Sequence, residues 1–313
     1  MSAEKTFFRV LFQALSSTRP DGSKAIGVLQ RMLEKIAQDN GYRTWTDTAG
    51  NLWCDRPGRT VFTAHLDTVC GKEEKPIKLL WNGMTARTDG KTTLGADDGA
   101  GIAMLAGLMA AQIGGTFIFT QGEEIGGYGA KTAAKYIQAG EFDRAIAFDR
   151  KGTTDICGSQ CVGTLASRDF VSALAAQLGM GHSWASGLYT DNAEFQGLIP
   201  EIVNIACGYE ANHSMKETLD VQYLRDLFRA ALTVDWENLP VVGPQEEAAV
   251  VQSWDKDLID WEFEQLLEEA ADDLDIDYHS YKFGLLRTAL LDAMDLGMDR
   301  EANYHRELRL VKE

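Results

Sequence analysis

Thr116-Phe117-Ile118-Phe119-Thr120-Gln121-Gly122-Glu123-Glu124-Ile125-Gly126-Gly127 is the stretch on which the fold turns. Its first five residues are β-branched or aromatic and carry no charge, the composition of a strand buried on both faces. The run then breaks into a glycine, two adjacent acids and a Gly126-Gly127 pair that permits a tight turn. Three other short apolar runs also end in acids or histidine. Thr60 to Ala64 leads into His65-Leu66-Asp67-Thr68-Val69, Ala145 to Phe148 leads into Asp149, and Glu201 to Ala206 leads into Gly208-Tyr209-Glu210-Ala211-Asn212-His213-Ser214. Helical patterns lie between the runs. Leu11 to Ser17 ends a first helix, and Ser23 to Asn40, Ala103 to Gln112, Tyr128 to Ala139 and Ser167 to Leu178 supply others. Gly41 to Cys54 reads as two short strands around Thr48-Ala49-Gly50-Asn51. Strands alternating with helices predict an α/β fold, a mainly parallel mixed sheet sandwiched by helices.

The chain has 313 residues, 45% hydrophobic and 25% charged, enough for one large or two small domains with a core that needs no disulfide. Pro240-Val241-Val242-Gly243-Pro244 is the linker candidate, dividing residues 1–240 from an extension over 241–313. In that extension strands vanish, and Leu258, Ile259, Trp261, Leu266, Leu267 and Leu274 recur at helical spacing. It holds about 19 acids against 7 bases, so most of the chain's net charge of −17 sits there. An acidic helical extension of this kind is either a solvated appendage or a docking surface for a protein partner. A chain this acidic repels phosphate backbones, which argues against nucleic acid. No run of 18 apolar residues spans a membrane. Phe7 to Leu15 is interrupted by Arg9 and reads as an amphipathic helix rather than a signal peptide. Five scattered cysteines fit reduced thiols in the cytoplasm, and Cys157 and Cys161 lack the second pair of a zinc ribbon.

The chemistry concentrates at the strand ends. In open α/β sheets, ligands bind outside the carboxyl ends of the strands. A fifth polar cluster, Leu94-Gly95-Ala96-Asp97-Asp98-Gly99-Ala100-Gly101, enters a helix. Taken singly, these features have plain readings: Glu123-Glu124 as solvated surface, Asp97-Asp98 as charge complementing a helix N-terminus. Together they place several carboxylates where they repel one another unless cations neutralise them. Two of the five histidines fall in the set. Imidazole with carboxylate, without thiolate, suits Zn²⁺ or a similar divalent ion.

The patterns His-x-Asp-Thr-Val, Gly-Ala-Asp-Asp-x-Ala-Gly, Glu-Glu-Ile-Gly and a final His before Ser resemble, in order, those of the clan MH co-catalytic metallopeptidases, which include di-zinc aminopeptidases and peptidase T. The likeness covers roughly residues 5 to 235. It implies that His65, Asp97 and Asp149 hold one metal and that Asp97, Glu124 and His213 hold a second, with Asp97 bridging. It implies that Asp67 orients His65 and that Glu123 is the general base acting on a metal-bridging water. It also implies a cis peptide at Asp97-Asp98. Zn²⁺ is the family's expected metal, and Co²⁺ or Mn²⁺ suits the same donors. Tyr209 is a candidate for hydrogen bonding to the substrate oxyanion, with plain packing as the other reading. Asp191, in Tyr189-Thr190-Asp191-Asn192, is a candidate near the specificity pocket, the other reading being a helix cap.

The chain departs from many relatives in one respect. Only about 64 residues separate Asp149 from His213, too few for the lid or dimerisation domain those relatives insert. The expectation is a catalytic domain without that insertion, which favours an aminopeptidase acting on short peptides. Two alternatives stand beside it: an amidohydrolase of N-acyl amino acids or cell-wall peptides with the same metal site, and a non-catalytic binding or assembly module on a retired peptidase fold.

Overall fold

The computed structural model describes residues 2–160, 162–187 and 189–244. In chain order the elements are α1 (Ala3–Ala14), α2 (Lys24–Asp39), β1 (Arg43–Thr46), β2 (Leu52–Arg56), β3 (Thr60–His65), β4 (Leu80–Asn82), β5 (Thr85–Arg87), α3 (Ala96–Ala110) and β6 (Gly115–Thr120). They continue with α4 (Tyr128–Ala133), β7 (Arg144–Arg150), β8 (Asp155–Gln160), β9 (Gly163–Thr164), α5 (Arg168–Leu178), β10 (Ser183–Ser186), β11 (Glu201–Ala206), β12 (Tyr209–Glu210), β13 (Thr218–Asp220) and α6 (Val221–Ala231). Helix starts follow capping chemistry. Ser2, Ser23, Ser167 and Asp220 each accept a hydrogen bond from the backbone N–H three residues on, satisfying a donor the helix leaves unpaired.

The large sheet runs β1-β2-β6-β3-β7-β11-β8-β10, with β9 beside β8. Its centre, β6-β3-β7-β11, is parallel, and antiparallel pairs flank it at β2-β6 and β11-β8. Alternation along the central strands divides the side chains between two layers. Phe62, Phe117, Phe119, Ile146 and Phe148 join the larger core with α1, α2, α3 and α6. Val61, Ile118 and Ala145 join a smaller core with Ile137, Phe195 and Ile202. Helix α3 packs directly on β3 and β7, with α1, α2 and α6 against its other sides, so it is apolar all round. This is the sandwich the alternation of the sequence predicts.

Several details differ from that reading. The helix expected over Tyr128 to Ala139 stops at Ala133 and tightens into a 3₁₀ turn over Ala134–Tyr136. Ile137 is then extended and buried in the smaller core, a tertiary contact that outweighs local propensity. The first helix ends at Ala14, before the expected Ser17, and the third starts at Ala96, before the expected Ala103. A four-stranded antiparallel sheet, β12-β13-β5-β4, was not foreseen, because strands of two or three residues carry no readable alternation. The span between Asp149 and His213 contributes β8 to β12 and α5, elements that join the two sheets and their flanking layer. Pro240 to Pro244 is fastened down by the buried Glu201 carboxylate, which accepts the N–H groups of Val242 and Gly243, and the stretch just before it by buried Arg144, which donates to the carbonyls of Trp236 and Leu239. From Gln245 on, the expected acidic helical extension lies outside the described residues, as does Cys161. Among the described residues no helix is long and apolar enough to cross a membrane.

Candidate metal centre

Because β6, β3, β7 and β11 are parallel neighbours, their carboxyl ends share one edge of the sheet. His65 is the last residue of β3, Glu123 and Glu124 follow β6, Asp149 lies one residue from the end of β7, and His213 follows β11 by way of β12. Asp97 enters from the start of α3, where Asp97 and Asp98 have non-helical dihedrals and the peptide between them is cis, as the resemblance implies.

The side chains converge. His65 Nε2 lies 2.9 Å from Asp97 Oδ1 and 3.7 Å from Asp149 Oδ1. His213 Nε2 lies 3.1 Å from Asp97 Oδ2 and 3.3 Å from Glu124 Oε2. His65-Asp97-Asp149 and Asp97-Glu124-His213 thus form two groups sharing Asp97, each with its ligand atoms within 4.8 Å of one another. His65 also groups with Glu123 and Glu124. The donor set is imidazole and carboxylate oxygen, with no thiolate, in the three-ligand arrangement that a borderline divalent cation accepts.

The electrostatics agree with that fit. Burial raises Asp149 to about 6, with Asp97 adding to the effect. Burial also lifts Glu123 well above the usual carboxylate range; His65 opposes this, while Asp191, Asp149 and Glu124 reinforce it. Burial opposes charge on the imidazoles as well, yet the carboxylates win: His65 is held well above its ordinary value, and His213 is raised to about 11 by Asp97 and Glu124. Asp97 is opposed by its own burial but held well below the usual range by the two histidines. Such a cluster of buried carboxylates is relieved by positive charge, of the kind divalent cations carry.

The Asp67 carboxylate accepts the backbone N–H groups of Glu123 and Glu124, both at 3.1 Å, and so holds the loop carrying the two acids. Its contact to His65 Nδ1 is closer through its carbonyl, at 3.1 Å, than through its carboxylate, at 3.7 Å. Glu124 Oε1 accepts the Val69 N–H. Tyr209 and Asp191 are both buried, at 2% exposure. The Tyr209 hydroxyl donates to Asp149 Oδ1 at 3.2 Å, and the Thr190 hydroxyl donates to Oδ2 at 2.6 Å. Asp191 accepts the Thr120 hydroxyl through Oδ2, while its Oδ1 has no hydrogen-bond partner. Thr190 precedes a 3₁₀ turn over Asp191–Phe195 without capping it through its side chain.

Other side chains in the site escaped the sequence reading. Asn212 donates to Asp97 Oδ2 at 2.7 Å from a turn in which Ala211 and His213, φ 51° and 60°, are both left-handed. That conformation costs a non-glycine residue about 1 kcal/mol or more and persists where surroundings enforce it. Asp98 accepts the N–H groups of His65 and Gly101, tying the end of β3 to the start of α3. Asn51, fully buried, accepts the Gln121 N–H and donates to the Gly129 carbonyl, closing the two ends of the Glu123-Glu124 loop. The buried Arg19 guanidinium donates to the carbonyls of Ala14, Leu66 and Gly95. The Glu217 carboxylate accepts four backbone N–H groups, from Leu94 to Asp97. Asn212 and Asp98 stand inside quoted motifs without a role assigned to them; no residue pattern announced Asn51, Arg19 or Glu217, because most of their partners are backbone groups far away in sequence.

No family model matches this chain. A curated relative, Uncharacterized protein YqjE of Bacillus subtilis (strain 168), is 40% identical over 118 residues, which cover 33% of this chain and 30% of the relative. The chain thus matches under a third of that relative's length. Among solved structures, aminopeptidase PepT from Bacillus cereus is 18% identical with a TM-score of 0.59, covering 74% of this chain and 98% of that one. A tripeptidase from Staphylococcus aureus is 17% identical with a TM-score of 0.58, covering 74% and 97%. The TET1 peptidase of Pyrococcus horikoshii is 17% identical with a TM-score of 0.57, covering 72% and 99%. At these identities the likeness is one of fold.

Proposed function

We propose that this chain is a metal-dependent exopeptidase, an aminopeptidase acting on short peptides. The observation that carries the reading is the pair of ligand groups sharing Asp97, with Glu123 beside Glu124 on a loop fixed by Asp67. The fold shared with solved aminopeptidases and a tripeptidase supports it. So does the span between Asp149 and His213, whose elements join the two sheets and leave no separate lid among the described residues.

In this reading His65, Asp97 and Asp149 hold one divalent cation, and Asp97, Glu124 and His213 hold the other, with Zn²⁺ the expected ion. When bound, the two cations supply Lewis acidity that polarises the scissile carbonyl and lowers the pKa of the attacking water. Glu123 takes the proton from that water and delivers it to the leaving amine, so a single carboxylate serves as base and then acid. Thr190 and Tyr209 orient Asp149 by donating to its two oxygens. Asp191, buried, accepts the hydroxyl of Thr120 at the end of β6, three residues before Glu123, and so acts through that neighbour.

The test is zinc content together with turnover of free and N-blocked short peptides, on wild type and Glu123→Gln. The expected result is two zinc ions per chain in both proteins, with turnover of free peptides lowered about 10²- to 10⁴-fold in the variant. Turnover of N-blocked substrates alone identifies the amidohydrolase instead. A zinc-loaded wild type that cleaves neither kind of substrate overturns the enzymatic reading.

A further inference from the structure

Glu217 lies four residues after His213 and is buried, at 2% exposure. Its Oε2 accepts the N–H groups of Leu94 and Gly95, both at 2.8 Å. Its Oε1 accepts those of Ala96 and Asp97, at 2.9 and 3.1 Å. Four successive N–H groups aimed at one carboxylate form an anion-binding nest, and bonds from backbone to ionised carboxylate are among the stronger hydrogen bonds. The same peptide is held from its other side: Arg19 Nη2 donates to the Gly95 carbonyl at 3.1 Å. On the His213 side, the Glu217 N–H donates to the Ser214 carbonyl, closing the turn that directly follows His213. The His213 side chain is 45% exposed, so packing does little to fix it, and its position depends on this turn.

We propose that Glu217 is a positioning residue that sets the separation between the Asp97 turn and the His213 turn. Asp97 and His213 belong to the same ligand group, so this one buried carboxylate defines the geometry of that group. The inference rests on the metal-site reading above, and it assigns Glu217 no contact with substrate. Partners that orient ligands in this way change metal affinity or activity by roughly 10–100-fold when replaced.

The test compares Glu217→Gln with Glu201→Gln. Glu201 is a matched control: a fully buried carboxylate that also accepts backbone N–H groups, from Ser167, Val242 and Gly243, and takes no part in the site. Both variants lose an acceptor oxygen and are expected to lower Tm. Zn²⁺ affinity is measured on metal-depleted protein by competition with a chromophoric chelator, and amide exchange is followed over residues 94–97 and 211–216. For Glu217→Gln, affinity for the more weakly bound Zn²⁺ falls at least tenfold, kcat at limiting Zn²⁺ falls with KM unchanged, and exchange accelerates in both segments. Glu201→Gln leaves all three as in wild type. Wild-type Zn²⁺ affinity in Glu217→Gln, or an equal loss in Glu201→Gln, overturns the proposal. If wild type binds no Zn²⁺, the metal reading fails, and exchange alone decides the tie. Acceleration in both segments upholds the coupling, and acceleration confined to 94–97 refutes it.

Discussion

Asp191 shows what burial does to a carboxyl group at the level of a single residue. Burial raises it to about 7, with His65 and the Thr120 hydroxyl opposing and Asp67 and Asp149 reinforcing. In the unfolded chain an aspartate titrates near 4. Between about pH 4 and 7 the native state therefore holds a proton that the unfolded state has released, and stability falls as pH rises through that window and levels off above it. Asp191→Asn removes this dependence. In chelated, metal-free protein the variant is expected to gain Tm relative to wild type between pH 4.5 and pH 8, by about 2 to 4 °C for each kcal/mol recovered. A Tm difference that stays constant across that range counts against the assignment. Legibility also divides at this scale. His65, Asp97, Glu123, Glu124, Asp149 and His213 stood out because acids and histidines at strand ends are costly and need a reason. Arg19, Asn51 and Glu217 did not, because each meets backbone groups that carry no residue signature. Glu217 and its first partner, Leu94, are 123 residues apart in sequence.

Among the elements, α3 is closely constrained by its neighbours. It is buried along its length, and Gly107 faces the place where Phe7 of α1 and Phe228 of α6 stack with ring centroids 4.7 Å apart. A Cβ at Gly107 would stand 2.4 Å from Phe228 Cε2 and 3.1 Å from Phe7 Cβ. Alanine improves intrinsic helix propensity by about 1 kcal/mol, but overpacking costs about 1–3 kcal/mol. The net cost at the middle of that range, about 1 kcal/mol, is expected to lower the Tm of Gly107→Ala by roughly 2 to 4 °C, read by thermal unfolding, and an unchanged or raised Tm would show that the two rings move aside freely. The same helix explains where the sequence reading stopped short. Its amphipathic signal is weak because every face is buried, and its start at Ala96 is hidden by two aspartates in non-helical conformation. Strands long enough to alternate or to run apolar, such as β6 and β11, were legible. The two- and three-residue strands of the small sheet exist only through their partners.

For the molecule as a whole, the candidate site joins the start of α3 to the carboxyl ends of β3, β6, β7 and β11, so a cation bound there would be coupled to the global fold. Zn²⁺ at a thousandfold its Kd adds roughly 4 kcal/mol of stability, on the order of 10 °C in Tm. Chelation is expected to remove that increment and Zn²⁺ to restore it, followed by thermal unfolding at constant protein concentration. A Tm indifferent to both would mean that the acidic cluster carries no cation. The alternation of the longer strands with helices, and the placing of acids and histidines at the ends of those strands and at the start of a helix, are local properties, and the sequence by itself determined them. It could not determine the order in which β6, β3, β7 and β11 lie side by side, how closely Asp97 approaches the two histidines, or that single carboxylates and amides from distant turns clamp the loops. Those are decided by long-range packing, where burial of the large core selects one arrangement and buried polar groups must find whatever partners that arrangement brings within reach.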